Sequence, residues 1–295
     1  MQDIIPKVSI VIPFYSHKDW LIESLESVFS QTYHDYEVIL VNDGSKEDLS
    51  DLLETYKDKI IYLEQENKGP GAARNLGMKY ARGKYIAFED ADDLWLPNKL
   101  EIQIPFMEER NLIWSHTGFF NWWPETGHLQ KVNVGKDYGD IYIQRLISVR
   151  TATPCIVIER KYLVDNCLMF PEDIRNGEDG AFYTSISQCC PIGLVLQPLA
   201  KVRIRGKNSN THAIERFRLN ATTYLRLKEK KGDIPNMVVN IKHIYYFFSK
   251  LFPGRITPIK EFFAKCLWFF PYVFERIYIR YLARTINKEE KYILR

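Results

Sequence analysis

The 295 residues are 46% hydrophobic and 26% charged, the composition of a folded soluble protein long enough for one large α/β domain, an appendage and a sizeable buried core. The net charge of +3 conceals two unlike regions: residues 1–200 carry 19 Lys and Arg against 30 Asp and Glu, and residues 201–295 carry 21 against 7. Five cysteines (Cys155, Cys167, Cys189, Cys190, Cys266) form no CxxC pair and exclude a disulfide scaffold, reading instead as free thiols in a reducing compartment.

The opening MQDIIPKVSIVIPFYS has no basic n-region and no long apolar run, so no signal peptide is expected. No stretch of about 18 uncharged apolar residues predicts a spanning helix. Short, apolar, β-branched runs predict strands at Val8–Ile12, Val38–Val41, Ile60–Leu63 and Tyr85–Phe88. Between the first two, Leu21, Leu25, Val28 and Phe29 recur with helical spacing. Ser16 with Asp19 reads as a capping box at that helix's start. A second helix begins near Ala72, carries Leu76 and Tyr80 on one face and stops at Gly83. This strand–helix rhythm predicts a mostly parallel sheet flanked by helices, with ligands beyond the carboxyl ends of the strands.

Beyond residue 110 the expectations are a strand at Ile113–His116, a loop carrying Phe119, Phe120, Trp122 and Trp123, and a strand at Pro154–Ile158. A helix over Asp179–Gln188 and strands at Gly193–Leu196 and Leu199–Arg203 follow. The chain then reads as helical past His212, with breaks at Gly232–Pro235, Pro253–Pro258 and Pro271.

Three acidic sites stand at strand ends or helix starts. Asp43 in VNDGS follows an apolar strand and can accept hydrogen bonds from a ligand or shape an Asx turn. FEDADD crowds Glu89, Asp90, Asp92 and Asp93; a divalent cation such as Mg²⁺ or Mn²⁺ relieves their mutual repulsion. Asp90 and Asp92 share a side if strand geometry continues, and they are the candidate metal ligands. In NGEDGAFY, Glu178 and Asp179 open a helix, either as caps or as a general base for an acceptor hydroxyl. KGPGAARN nearly matches the dinucleotide fingerprint GxGxxG, but Arg74 stands at the third glycine, which argues against a dehydrogenase. Its backbone amides still suit a phosphate at a helix start.

In this order and spacing, VSIVIPFYSHKDWLIESLESVFSQTYHDYEVILVNDGS, ENKGPGAARNLGMKYARGKYIAFEDADD and NGEDGAFY resemble the family 2 glycosyltransferases over about residues 7–210. The resemblance implies a nucleotide-diphospho-sugar transferase fold, an α/β sandwich of two abutting Rossmann-like halves. A nucleotide-binding half (1–110) and an acceptor half (111–210) would make up the catalytic domain, with a basic, aromatic helical appendage at 211–295. It also implies that Pro13, Phe14 and Tyr15 line the base pocket, that Asp43 binds base or ribose, and that Arg74 contacts the nucleotide. Asp90 would contact ribose or metal-bound water, Asp92 would ligate the metal, Asp179 would be the catalytic base and Glu178 would orient the acceptor. Where the family often has Tyr-Arg-x-His, VRIRGKNS places Arg205 at the His position, where a fixed bidentate cation would meet the diphosphate directly.

The activity implied is inverting transfer from a nucleotide-diphosphate sugar, with UDP the nucleotide expected and Mn²⁺ or Mg²⁺ as cofactor. The acceptor expected is a sugar or lipid-linked sugar in cell-surface polysaccharide or glycolipid assembly. Trp122 and Trp123 are candidates for stacking on acceptor sugars or for packing at the sheet edge. The aromatic, basic stretch 255–295 suits either a peripheral contact on the inner face of the membrane from the cytoplasm or a helical lid or dimer contact. Two rivals stand beside this reading: a sugar nucleotidyltransferase, which needs a Gly-rich basic loop that PFYSHKDW does not provide, and a protein binding nucleic acid through its basic tail. An inactive scaffold is a third.

Overall fold

A computed structural model describes residues 5–147, 151–205, 234, 236–285 and 289–295. The apolar runs of the first hundred residues form β1 (Val8–Phe14), β2 (Tyr36–Asn42), β3 (Ile60–Glu64) and β4 (Tyr85–Phe88). Helices α1 (Lys18–Phe29), α2 (Ser50–Tyr56) and α3 (Pro70–Tyr80) alternate with them. β1 pairs in parallel with both β2 and β4, and its Val8, Ile10, Val11 and Ile12 are fully buried. A strand covered on both faces has no polar alternation, which is why only Ser9 interrupts this apolar run. Each such side chain contributes about 1.5–3 kcal/mol by burial.

The next elements are β5 (Leu94–Trp95), α4 (Lys99–Arg110), β6 (Trp114–Trp123), β7 (His128–Lys131) and α5 (Tyr142–Ile147). A 3₁₀ turn at Thr153–Cys155 leads into β8 (Val157–Glu159) and α6 (Arg160–Asp165). Then come α7 (Glu178–Ser187), β9 (Gly193–Arg203), α8 (Asn236–Leu251), α9 (Pro258–Thr285) and β10 (Ile293–Leu294). The strands form one ten-stranded mixed sheet in the order β10-β9-β6-β8-β4-β1-β2-β3, with β5 beside β9 and β7 beside β6. This is the mostly parallel, helix-flanked α/β sheet expected. All five cysteines are free.

The described residues divide into a sheet unit (5–140, 151–204 and 289–295) and a helical unit (141–147, 205, 234 and 236–285). In the helical unit, Ile241, Tyr245 and Phe252 pack with Ala264, against which Leu267, Trp268 and Tyr278 close. No helix among the described residues is long and apolar enough to cross a membrane.

Several local expectations are corrected. No capping box forms at Ser16: the N-cap is His17 in the left-handed region (φ 70°), and Glu47 accepts from the amides of His17 and Lys18 at 2.5 and 2.6 Å. A carboxylate from another loop thus satisfies the orphan amides of α1. Phe119–Trp123 continues β6 instead of forming a loop. Gly193–Leu196 and Leu199–Arg203 are one strand, β9; β9 itself carries the irregularity, its extra residues bulging opposite Gly118 of β6. α9 runs unbroken through position 271. The helical reading of 212–233, and the Gly232–Pro235 break apart from Ile234, lie outside the described residues.

α3 lies close on the sheet because its inner face is small: Ala73 and Gly77 are buried there. A Cβ at Gly77 would stand 2.4 Å from Val11 Cγ1, so any side chain at 77 would push the helix off β1.

Candidate active site

Strand direction gathers the site. β1, β2, β3 and β4 are mutually parallel; β8 is antiparallel to both β4 and β6, and β9 is parallel to β6. The carboxyl ends of β1, β2, β4, β6 and β9 therefore share one edge of the sheet, the edge at which open α/β sheets bind ligands. Tyr15, Asp43, the Glu89–Asp93 loop, Trp122, Trp123 and Arg203 all stand there.

Asp43 is buried just past β2. Its Oδ1 accepts from Gln65 Nε2 (2.7 Å) and the Lys68 amide (2.9 Å), and its Oδ2 from the Gly69 amide (2.9 Å). The carboxylate thereby ties β2 to the turn that starts α3. Gly69 has φ 95° and Pro70 follows as the first helical residue, a position where the missing proline amide costs nothing.

Arg74, one turn into α3, is buried between two acids. Its Nη2 donates to Asp90 Oδ1 at 2.6 Å and its Nη1 to Glu178 Oε1 at 3.0 Å. Burial works against the guanidinium's charge, but Asp90, Tyr183 and Glu178 outweigh it and hold its pKa above the ordinary value. Burial pushes the Glu178 carboxyl above its usual range, and Arg74 partly reverses that. One side chain thus links the acidic loop after β4 to the start of α7. Backbone contact reinforces the link: a Cβ on Gly71 would lie 3.1 Å from the Pro171 oxygen and 3.2 Å from Glu178 Cγ. Asp179, the next residue, is half-buried, and its Oδ1 accepts from the Gly180 amide at 2.6 Å. As the second residue of a ten-residue helix, its carboxylate lies in the favourable end of the helix dipole.

The acidic loop is a tight turn, with the Asp93 amide donating to the Asp90 oxygen at 3.0 Å. Arg203, at the end of β9, holds it. Its amide donates to Asp93 Oδ1 (2.8 Å), its Nε donates to the Asp92 oxygen (2.7 Å), and its Nη2 pairs with Glu23 of α1. The guanidinium lies over the rings of Trp20 and Trp122, at 5.0 and 4.4 Å from their centroids. Asp90 and Asp92 are half-exposed, and no group of three or more His, Cys, Asp or Glu is placed to hold a metal ion by itself among the described residues. Two carboxylates with no nitrogen or sulfur donor fit Mg²⁺ or Mn²⁺, which bind through one or two carboxylates and complete their shells with phosphate and water.

Two groups of this region are buried in a way the sequence did not show: Glu89, one of the four crowded acids, and Lys99. Glu89 has both carboxylate oxygens buried without a hydrogen-bond partner among the described residues. Burial, with Asp93 and Asp90 close by, raises its pKa well above the usual range. Lys99 is also fully buried, donates to Gln103 Oε1 at 2.7 Å and sits 4.3 Å from the Trp95 ring centroid. Burial brings its pKa down to about 8 and pushes Cys155 up to about 12.

Of the base-pocket trio, Phe14 is a correction: it is 1% exposed and belongs to the core. Strand alternation sends Phe14 inward with Ile12, which leaves half-buried Pro13 and 54%-exposed Tyr15 as the side chains facing outward. Trp122 is engaged with Arg203, whereas Trp123 packs on His128 with ring centroids 5.1 Å apart. Arg205 is exposed and belongs to the helical unit. Sequence reasoning also missed Trp20 and Glu23; the only sign of them was a large aromatic and an acid on the outer face of an amphipathic helix.

The family model for glycosyl transferase family 2 matches residues 9–165. An uncharacterized glycosyltransferase of Rickettsia bellii is 42% identical over 224 residues, which cover 74% of this chain and 32% of that protein. The chain thus spans about a third of that relative's length. The Escherichia coli UDP-Glc:alpha-D-GlcNAc-diphosphoundecaprenol beta-1,3-glucosyltransferase WfaP is 40% identical over 115 residues, 38% of this chain and 46% of the enzyme. Among solved structures, Staphylococcus aureus TarS with UDP-GlcNAc aligns at TM-score 0.62 and 18% identity, covering 82% of this chain and 72% of that one. The mannosyltransferase PcManGT from Pyrobaculum calidifontis, with GDP-Man and Mn²⁺, aligns at TM-score 0.58 and 14% identity, covering 98% and 78%. At these identities the two structures speak for the fold.

Proposed function

The chain belongs to glycosyltransferase family 2, and from that premise we propose that it transfers a sugar from a nucleotide diphosphate to a hydroxyl acceptor with inversion and with help from a divalent metal. The observation that carries this reading is Arg74, which joins Asp90 on the donor side to Glu178 on the acceptor side. Membership of a sugar-transferase family sets aside the nucleotidyltransferase and nucleic-acid readings.

Asp43 and Tyr15 would meet the base and ribose, with Pro13 alongside. Asp90 and Asp92 would hold the metal, which when bound supplies electrostatic stabilisation of the charge developing on the diphosphate. Arg74 keeps Asp90 and Glu178 in place. Glu178 orients the acceptor hydroxyl, and Trp122 and Trp123 offer aromatic surface to its sugar rings. Asp179 accepts the hydroxyl proton as the oxygen attacks the anomeric carbon. The new C–O bond forms opposite the C–O bond to the diphosphate, which leaves with its electron pair, and the anomeric centre inverts. Alignment of donor and acceptor across one cleft supplies much of the rate.

UDP is the nucleotide proposed, supported by the UDP-sugars named for WfaP and TarS; Mn²⁺ or Mg²⁺ is supported by the Mn²⁺ named for PcManGT. A sugar or lipid-linked sugar in polysaccharide or glycolipid assembly is the acceptor proposed, handled in the cytoplasm at the inner face of the membrane. A panel of nucleotide sugars, scored for hydrolysis and transfer, tests the reading and separates an active enzyme from an inactive scaffold. Turnover of one UDP-sugar that disappears in Asp179→Asn is the expected result. Turnover of none by the intact chain, or near wild-type turnover by the variant, overturns it.

A further inference from the structure

Helix α9 turns two unlike faces outward and inward. Glu261, Ala264, Leu267, Trp268 and Tyr278 are buried or half-buried, the last four against the α8 cluster. Phe262, Phe263, Phe269, Phe274, Ile277 and Tyr281 are 53–65% exposed. At 100° per residue these six fall within an arc of about 140° and extend along about 28 Å of helix. Taking about 200 Å² for each large side chain, they leave on the order of 700 Å² of mostly aromatic surface open to solvent. That is more than a monomeric soluble protein ordinarily exposes in one patch.

We propose that this stripe seats α9 flat on an anionic lipid bilayer, with its rings at the level of the headgroups. Charge selects this occupant over a second copy of the chain. Residues 234–285 carry eight Lys and Arg against two Asp and Glu, so two such helices repel each other and an anionic surface attracts them. Exposed Lys265 stands at the edge of the stripe, one turn from Phe269. An exposed face rich in aromatics, with Lys265 at its edge, on a helix too polar to cross a membrane, is the pattern of interfacial binding. Five of the six stripe residues are aromatic, the side chains favoured at the membrane–water boundary. The inference rests on the proposed function only for its purpose, which is to bring the transferase to a lipid-linked acceptor; the stripe itself does not depend on that activity.

The test floats the full chain on vesicles of phosphatidylcholine alone or mixed with phosphatidylglycerol. The intact protein is expected to float with the mixed vesicles and about tenfold less with the neutral ones, as electrostatic attraction requires. The exposed triple variant Phe262→Ser/Phe263→Ser/Phe269→Ser should keep the wild-type melting temperature and lose flotation by about tenfold. Nucleotide-sugar hydrolysis in lipid-free solution should be the same for both proteins. Failure of the intact chain to float on either vesicle, or undiminished flotation of the triple variant, overturns the proposal. So does a dimer in sedimentation that the triple variant dissociates, which would make the stripe a contact between copies. Hydrolysis absent from both proteins while flotation behaves as expected would instead count against the transferase reading.

Discussion

Asp43 stands just past the end of a strand and Asp179 at the start of a helix, and their surroundings are opposite. Around the start of α3, three donors from residues 65–69 occupy both oxygens of Asp43. At the start of α7, Asp179 is half-buried and accepts from the amide beside it. A carboxylate surrounded by fixed donors builds the loop. One with lone pairs to spare at a helix start is placed to take a proton. The two carboxylates differ in hydrogen-bond saturation, and the proposed division between an acid that shapes the site and one that takes the proton rests on that difference.

The contrast is sharpest if Asp179→Asn loses transfer while the fold is untouched. Turnover should fall about 10³-fold, within the range for removing a general base, with nucleotide affinity by calorimetry and melting temperature unchanged. Asp92→Ala should come next. Nucleotide affinity measured with Mn²⁺ should drop about 100-fold and the difference between titrations with and without Mn²⁺ should vanish, as for a hard-cation site built from two carboxylates.

The interior acids and bases should show the reverse signature, in stability. Lys99 has a folded pKa of about 8 against an ordinary 10.5. Below about pH 8 both states carry its proton, so the native state bears the full cost of the buried charge. Between about pH 8 and 10.5 the unfolded state binds the proton that the folded state has released, and stability rises with pH. The rise is on the order of 3 kcal/mol across that window, read as the difference between wild type and Lys99→Met in denaturant melts at each pH; parallel curves would refute the buried charge. Asp43→Asn should cost about 2 kcal/mol of stability through its weakened bonds to two amides. A loss confined to nucleotide affinity, with stability intact, would erase the distinction drawn above. The smallest effect belongs to Arg203→Lys, which keeps the charge but not the fork between Glu23 and the Asp92 carbonyl. It should lower kcat/KM about tenfold and raise the Mn²⁺ concentration needed for half-maximal rate. A purely structural arginine would leave that metal dependence unchanged.

The sheet up to β4 was legible because its strands are buried on both faces and its helices are amphipathic, so periodicity and burial coincide. The acids after β2 and β4 stood out in sequence because charge directly after an apolar strand is rare enough to notice, and Glu178 and Asp179 because they open a helix. Less accessible was whatever depends on a partner distant in sequence. Arg203 meets residues 110 or more positions away, and the cap on α1 comes from Glu47. β5 and β10 are two residues each, too short to show a period, and α4 carries Pro105 in its interior, which argues locally against a helix. The family resemblance placed Phe14 in the base pocket with Pro13 and Tyr15; its burial in the core depends on the packing of the sheet, which no local pattern shows.

The absent side chain at Gly77 has a mechanical consequence. Arg74 rides on the same rigid rod, one turn earlier, so the seating depth of α3 against Val11 sets how far the guanidinium reaches toward its two acids. A single added methyl would act as a shim under that rod and retune the span from Asp90 to Glu178 that Arg74 bridges.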